Sequence, residues 1–323
     1  GETAYIKLLT QLFGDNLIIA NATGCSSIYG ASVPDMPYNI PWANSLFEDN
    51  AEYGYGVLIG YENNRKRIIE YMEENKCELF DKYLNDNSYE VQKEVYEKID
   101  YGKHPVLREL KNYIVKPSVW CVGGDGWAYD IGFGGIDHVM SSGDDINVLV
   151  LDSQVYSNTG GQSSKATPKG AVAQFASSGK KNSMKDLARI AMSYPNVYVA
   201  QVSLGANMMQ TINAFKEAES HNGPSIIIAY TPCISHGIKD GMQNSVNMER
   251  LATTSGYFPI FRYNGTLCLD CKPNFDLYEE FLNNQTRYSM LKAVNKDKAF
   301  ELLKANKENA IKRFEYYKSL SEK

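Results

Sequence analysis

No basic stripe, no long apolar run, no internal repeat and no disulfide framework occurs in these 323 residues, and each absence removes a class of function. The net charge is −5 and the sequence pI about 5.5, so no positive surface is available to neutralise nucleic-acid phosphates. No stretch approaches the roughly 20 consecutive apolar residues of a membrane-spanning helix. Neither a nucleic acid nor a membrane is therefore expected as a partner. No secretory signal is visible, although a segment ahead of Gly1 would hide one, as it would an organellar targeting sequence. Six scattered cysteines favour a reducing compartment, and a cytoplasmic location is expected. The apolar content of 43% is close to the usual ~45–50% of globular chains. The length suits one large α/β domain or two small ones.

What is present is an alternation of strands and helices. Apolar spacing predicts a helix over Thr3 to Phe13, closed by Gly14, and a strand from Leu17 to Ala20. From about 61 to 116 the text turns polar and charged, with helical patterns at Arg65–Met72, Tyr89–Ile99 and Val106–Tyr113. This segment reads as a helical insertion whose charges form solvated faces or contacts to a neighbouring domain. After it come strands at 118–122, 146–151, Val197–Val202 and Ser225–Tyr230, with helices at about 127–141, 183–193 and Met208–Ser220 between them. Such alternation implies a doubly wound, mainly parallel sheet covered on both faces, with ligands beyond the strands' carboxyl ends. Residues 1–290 are expected to form this domain, and 291–323 a charged C-terminal helical arm or dimer contact.

Two strand exits carry the chemistry. Val119-Trp120-Cys121-Val122 is a short apolar run ending in Gly123-Gly124, and Asp125 follows at the turn. Asp125 offers a hard oxygen ligand, while Gly124 and Gly126 let phosphate oxygens approach without a Cβ in the way. A helix starting near Trp127 would point free N–H groups at the same spot. Ser153 follows Gly126 by 27 positions, in the loop after the second strand, which runs from Asp152 to Asn158. One carboxylate, one hydroxyl, one backbone carbonyl, water and two phosphate oxygens would satisfy octahedral magnesium. Gly-Asp-Gly alone is a common turn. Its strand–turn–helix context, and a second polar strand end at this distance, point to a magnesium–pyrophosphate site.

The text around these turns is more specific. Gly124-Asp-Gly-Trp-Ala-Tyr-Asp-Ile-Gly-Phe-Gly-Gly-Ile-Asp-His138 and Tyr156-Ser-Asn-Thr-Gly-Gly-Gln-Ser-Ser-Lys-Ala-Thr-Pro168 closely resemble stretches of pyruvate:ferredoxin (flavodoxin) oxidoreductases, including the fused pyruvate:NADP+ forms. The likeness extends through Lys185–Arg189 and Ile228–Cys233, and back to Gly1–Tyr5 and Ala22–Tyr29. It is to one part of those enzymes, the domain that grips the diphosphate of thiamine diphosphate. The resemblance implies oxidative decarboxylation of pyruvate with coenzyme A, giving acetyl-CoA and CO2, with electrons leaving through iron–sulfur clusters to ferredoxin, flavodoxin or a fused flavin module. By position it makes Asp125, Ser153 and the Val155 carbonyl ligands of Mg2+; the family usually has Thr where Ser153 stands. Gly124, Asp125, Gly126 and Trp127, with Ser153, Gln154, Val155, Tyr156, Ser157 and Asn158, would line the diphosphate. Glu2 and Cys25 would also touch the cofactor, and Asn158 would face pyruvate.

The same resemblance makes Cys25 and Cys233 two ligands of a [4Fe–4S] cluster, which needs four thiolates. In the family the other two precede Gly-Glu-Thr as Cys-x-x-Cys. The chain as written starts at Gly1 and reads as a fragment or one processed piece, working with other domains of the same polypeptide in a homodimer. The carboxylate that activates the aminopyrimidine lies on another domain in the family, so turnover by this chain alone is expected to be weak or absent. Rival readings are an enzyme of another branch, such as a 2-oxoglutarate or 2-oxoisovalerate:ferredoxin oxidoreductase or a non-oxidative decarboxylase, and a non-catalytic phosphate-binding or assembly module. Cys268-Leu-Asp-Cys271 reads as a surface loop with free thiols, and Cys77 and Cys121 as buried small hydrophobes. Asp130 and His138 read as surface or satisfied residues, and Gly132, Gly134 and Gly135 as a close-packing face against the sheet. Lys165, in a polar loop adjacent to the predicted site, reads equally as a screen for phosphate charge or as a contact to a partner domain; His236 is expected to be structural or exposed, and His104 and His221 to carry no role.

Overall fold

A computed structural model describes residues 1–30, 38, 40–294 and 296–322. In chain order its helices are α1 (Glu2–Phe13), α2 (Cys25–Gly30), α3 (Asn50–Glu74), α4 (Glu78–Asn85), α5 (Tyr89–Lys98), α6 (Pro105–Glu109) and α7 (Phe133–Ser142). They continue as α8 (Leu187–Ala191), α9 (Met208–Ser220), α10 (Ser245–Thr254), α11 (Tyr278–Asn283), α12 (Thr286–Val294) and α13 (Lys296–Ser321). The strands are β1 (Leu17–Ala22), β2 (Trp42–Ser45), β3 (Ser118–Gly123), β4 (Asn147–Asp152), β5 (Tyr198–Val202), β6 (Ser225–Tyr230), β7 (Phe261–Tyr263) and β8 (Leu267–Leu269). They form one eight-stranded sheet in the order β2-β1-β3-β4-β6-β5-β7-β8. The first six strands are parallel, and β7 and β8 add an antiparallel edge.

Side chains alternate between two buried faces, as a sheet covered on both sides requires. Val119 and Cys121 of β3, Val148 and Val150 of β4, and Ile226 and Ile228 of β6 pack with α3, α7, α10, α11 and α13. Their neighbours Trp120, Val122, Leu149, Leu151, Ile227 and Ala229 face the other way, against Tyr5, Ile6 and Leu9 of α1 and Ala214, Phe215 and Ala218 of α9. The expected α/β architecture is what forms. Trp42–Ser45 and the two three-residue edge strands are too short to show a strand pattern, and the sequence reading missed them.

Several expectations need correction. The helix expected at 127–141 is broken: a π-helical turn occupies Gly126–Asp130, and α7 starts only at Phe133. A Cβ on Gly132 would sit 2.4 Å from the Phe47 carbonyl oxygen, and one on Gly135 would sit 2.0 Å from Glu52 Oε2. These glycines therefore admit the Phe47–Glu52 segment rather than the sheet, and Gly134 faces open space. The helix expected from 183 starts at Leu187, because Asp186 caps it by accepting from the Arg189 N–H at 3.2 Å.

The helical insertion does not begin where the charges begin. Helix α3 runs unbroken from Asn50, and its first half lies on the sheet, with Gly54 against Cys121 and Ala20. Its second half joins α4, α5 and α6 in a separate apolar cluster, with Ile68, Met72, Phe80, Val95, Leu107 and Ile114 at its centre. Nor is the C-terminal segment an outlying arm. Tyr317 of α13 is fully buried, packs on Phe261 at a ring separation of 4.4 Å and donates to Asp186 at 2.5 Å, so the helix covers the sheet. Cys121 is buried as expected, but Cys77 is exposed just before α4, where its charged surroundings offer no core. Cys268 is exposed on β8 rather than in a loop, and half-buried Cys271 accepts from the Ile260 N–H.

Candidate functional site

The carboxyl ends of β1, β3, β4 and β6 lie side by side in the sheet, so the loops leaving them meet at one edge. Asp125 is almost fully buried there. Its Oδ1 accepts from the Ser153 N–H and the Ser153 hydroxyl, both at 3.2 Å, and its Oδ2 accepts from the Ser164 hydroxyl at 2.9 Å. Ser153 Oγ also lies 3.0 Å from the Val155 carbonyl oxygen. Carboxylate, hydroxyl and carbonyl thus converge from two adjacent strand ends.

A cavity of about 390 Å³ opens beside them. Its walls hold Glu2, Cys25, Gly124, Asp125, Gly126, Trp127, Ser153, Val155, Tyr156, Ser157 and Asn158. Gln154 is the exception among the expected cofactor contacts. Its backbone has a φ of 61°, which turns the side chain into the interior, where Oε1 accepts from the Tyr257 hydroxyl at 2.5 Å and from Arg287 at 3.1 Å. Phe47 and Ile131 add an apolar rim that the sequence did not announce. Tyr156 is fixed by donating its hydroxyl to Asp130, which also pairs with Lys165 Nζ at 3.5 Å and accepts from the Lys165 N–H. Asp130 is satisfied, His138 is exposed beside Tyr55, and Lys165 is tied to the rim rather than to the cavity floor.

The electrostatics of this edge are unusual because two acids are buried together. Burial raises the Asp125 carboxyl well above the ordinary range, and the charge of Asp152 raises it further. Asp152 is fully buried and likewise raised by burial; the Tyr129 hydroxyl, the Gln154 N–H and the fields of Arg313 and Arg287 offset part of that. Burial, then Glu2 and Cys233, push the Cys25 thiol up to about 12. Cys233 donates its S–H to Ser157 Oγ at 3.0 Å, which places it against the loop that carries Ser153.

His236 was expected to be structural or exposed, and it is structural and fully buried. Nδ1 accepts the Cys233 N–H at 3.4 Å, so Nε2 carries the proton and donates to the Ser153 carbonyl at 2.5 Å. One imidazole thus ties the Ser153 loop to the Cys233 loop. Burial holds this ring neutral, well below the usual histidine range. His104 packs edge-on against Phe80 and accepts or donates with the Tyr71 hydroxyl, and His221 lies half-buried beside Asn196 and the Tyr198 ring. The buried roles of Asp152 and Arg287, and the partners of His236, were invisible in sequence, because such a role declares itself only through residues distant in the chain.

Residues 111–229 match the thiamine pyrophosphate enzyme, C-terminal TPP binding domain. The chain is 43% identical over 99% of its length to the pyruvate-flavodoxin oxidoreductase of Klebsiella pneumoniae, of which it covers 30%. It is 45% identical over its whole length to the pyruvate:ferredoxin oxidoreductase of Moorella thermoacetica, covering 31% of that protein. It is 43% identical, again over its whole length, to the mitochondrial pyruvate dehydrogenase (NADP(+)) of Euglena gracilis, covering 20%. Among solved structures, a 2-oxoglutarate:ferredoxin oxidoreductase from Magnetococcus marinus superposes on 74% of this chain, and 63% of its own, with a TM-score of 0.48 and 16% identity. The family match spans both strand ends that build the site, Asp125 and Ser153, so this part of the chain is similar to a thiamine pyrophosphate-binding domain. Along its whole length the chain is similar to pyruvate:ferredoxin (flavodoxin) oxidoreductases, and it spans between 20% and 31% of the length of these curated relatives.

Proposed function

We propose that this chain holds thiamine diphosphate through Mg2+ for the oxidative decarboxylation of pyruvate. The observation that carries this reading is the meeting of the Asp125 carboxylate, the Ser153 hydroxyl and the Val155 carbonyl at the lip of the cavity. Three oxygens of these types suit a hard divalent cation that keeps water and phosphate in its remaining positions. The cavity walls fit a bound group as well. Among the described residues Glu2 Oε2 and Trp127 Nε1 are buried without a partner, and a Cβ on Gly124 would meet nothing nearer than the Leu151 carbonyl at 3.8 Å. A cation would also relieve the raised Asp125 carboxyl by favouring its charged form.

Once bound, the cofactor supplies carbanion stabilisation. The chain's own residues place and shield it. Asp125, Ser153 and Val155 would fix the metal, Ser157 and Asn158 the outer lip, and Asn158, exposed at the mouth, would meet the 2-oxoacid. Phe47 and Ile131 would keep water from one side. Cys25 on the cavity wall and Cys233 behind Ser157 would give two thiolates to a [4Fe–4S] cluster completed by other cysteines of the protein, with coenzyme A and a ferredoxin, flavodoxin or flavin acceptor engaged by the complete homodimeric enzyme. Calorimetric titration of thiamine diphosphate with and without Mg2+ tests the reading. Binding should require Mg2+ and be lost in Asp125→Ala with the far-UV spectrum unchanged; Mg2+-independent binding, or unchanged affinity in the variant, would sink it.

A further inference from the structure

A second cavity of about 250 Å³ lies behind the Ser153–Gly161 loop, and Val155 forms part of the wall of both. The rear cavity is lined by Gln154, Gly160, Gly161, Ser235 and Arg287. Arg287 is only 5% exposed. Its Nε donates to Gln285 at 2.8 Å, its Nη2 donates to Gln154 and the Tyr257 hydroxyl at 3.1 Å each, and its ring contact is Tyr288 at 5.1 Å. All of these partners are neutral. Nη1 is buried with no partner, and no carboxylate among the described residues pairs with this guanidinium. Asp152 lies within its field, but that carboxylate is already bonded to the Tyr129 hydroxyl and the Gln154 N–H. A guanidinium cannot shed its proton, so a buried one with no carboxylate in contact carries a desolvation cost that a second anion in the cavity would relieve.

We propose that this rear cavity is a binding site for a small free oxyanion, such as phosphate, anchored by the Arg287 guanidinium. Gly160 and Gly161, at φ 117° and 88°, leave the cavity wall without side chains, and the exposed Ser235 hydroxyl lies across from Gly161 at the mouth. Phosphate and carboxylate geometry both match the guanidinium fork, and the space admits an anion of a few heavy atoms. Because Gln154 is held by the same guanidinium, the anion would stiffen the loop that bears Ser153 and Val155 from behind. This site stands on Arg287 and its cavity, independently of what the front cavity holds.

The test is titration of the full chain with inorganic phosphate by calorimetry, in EDTA at constant ionic strength, together with crystals soaked in arsenate and located by anomalous scattering. One saturable site is expected, with arsenate beside Nη1 in the rear cavity. Arg287→Gln should weaken phosphate at least tenfold. Ser235→Leu blocks the mouth while leaving the buried cation in place, so it should also weaken phosphate even if the first variant fails to fold. The proposal is overturned if binding does not saturate or if arsenate lies only beside Asp125. It is equally overturned if Ser235→Leu binds as tightly as the wild type, or if a side-chain carboxylate of the same protein is found on Nη1.

Discussion

Replacing His236 with Phe gives the most direct measure of how the Ser153 loop is held. An aromatic ring is kept, somewhat larger than the imidazole, and with it the packing on Tyr230, whose centroid lies 6.4 Å away. Both nitrogens are lost. The Ser153 carbonyl would then lose a 2.5 Å hydrogen bond inside a fully buried site, and the Cys233 N–H a weaker one at 3.4 Å. Leaving a buried polar group unpaired costs about 1–3 kcal/mol, so the short bond alone accounts for roughly 2 kcal/mol and the long one for a fraction more. Urea unfolding should show a loss of about 2–4 kcal/mol with an unchanged m-value. The carbonyl belongs to the same residue as the hydroxyl proposed for the metal, so Mg2+-dependent thiamine diphosphate affinity should also fall about tenfold, whereas His236→Gln should restore part of both. A His236→Phe protein within 0.5 kcal/mol of wild type, with intact cofactor affinity, would refute the tether.

Glu249 offers a pH test away from the site. It is 5% exposed, accepts from the Gly205 N–H at 2.5 Å, and burial pushes its carboxyl up to about 7 from 4.5. The folded chain therefore keeps this proton while the unfolded chain releases it. Its contribution is full below about pH 4.5 and is lost as pH rises to 7, by at most roughly 3 kcal/mol. Glu249→Gln should flatten that slope in urea melts across pH 5 to 8; parallel curves for the two proteins would exclude Glu249 as its source. Gly124→Ala should fold normally yet weaken cofactor binding in the titration described above. Gly126→Ala would bring a Cβ to 2.9 Å from the Tyr156 ring and should distort the loop itself, visible as a lowered Tm. Gly54→Ala would place a Cβ 2.3 Å from Cys121 Sγ and should cost about 1–3 kcal/mol, relieved in the double variant with Cys121→Ala; absence of that coupling would place the strain elsewhere.

The site was legible in sequence to the extent that adjacent parallel strands dictate it. Asp125 and Ser153 each follow a run of apolar residues buried on both faces, and any parallel pairing of those runs brings the two together. Gln154 went astray because its left-handed backbone reverses the side chain, and no neighbouring residue announces that. The break at Gly132 was hidden for a related reason. Glycines in a helical pattern do not say whether they relieve a sheet or a loop, and here Phe47, which approaches from far upstream, decides it. The arm expected at 291–323 failed because surface charge on α13 masked its other face, where Ala299, Ala310 and Tyr317 are buried.

The apolar cluster beneath α4, α5 and α6 is joined to the body mainly through α3, whose Arg65 donates to the Ile114 carbonyl at 2.7 Å. Such a unit can open without uncovering the strands. Amides of residues 78–98 should therefore exchange with solvent through a sub-global fluctuation, while those of β3 and β4 exchange only when the entire molecule unravels. Heat or denaturant would then erode this lobe first and leave the strand-end cavity intact.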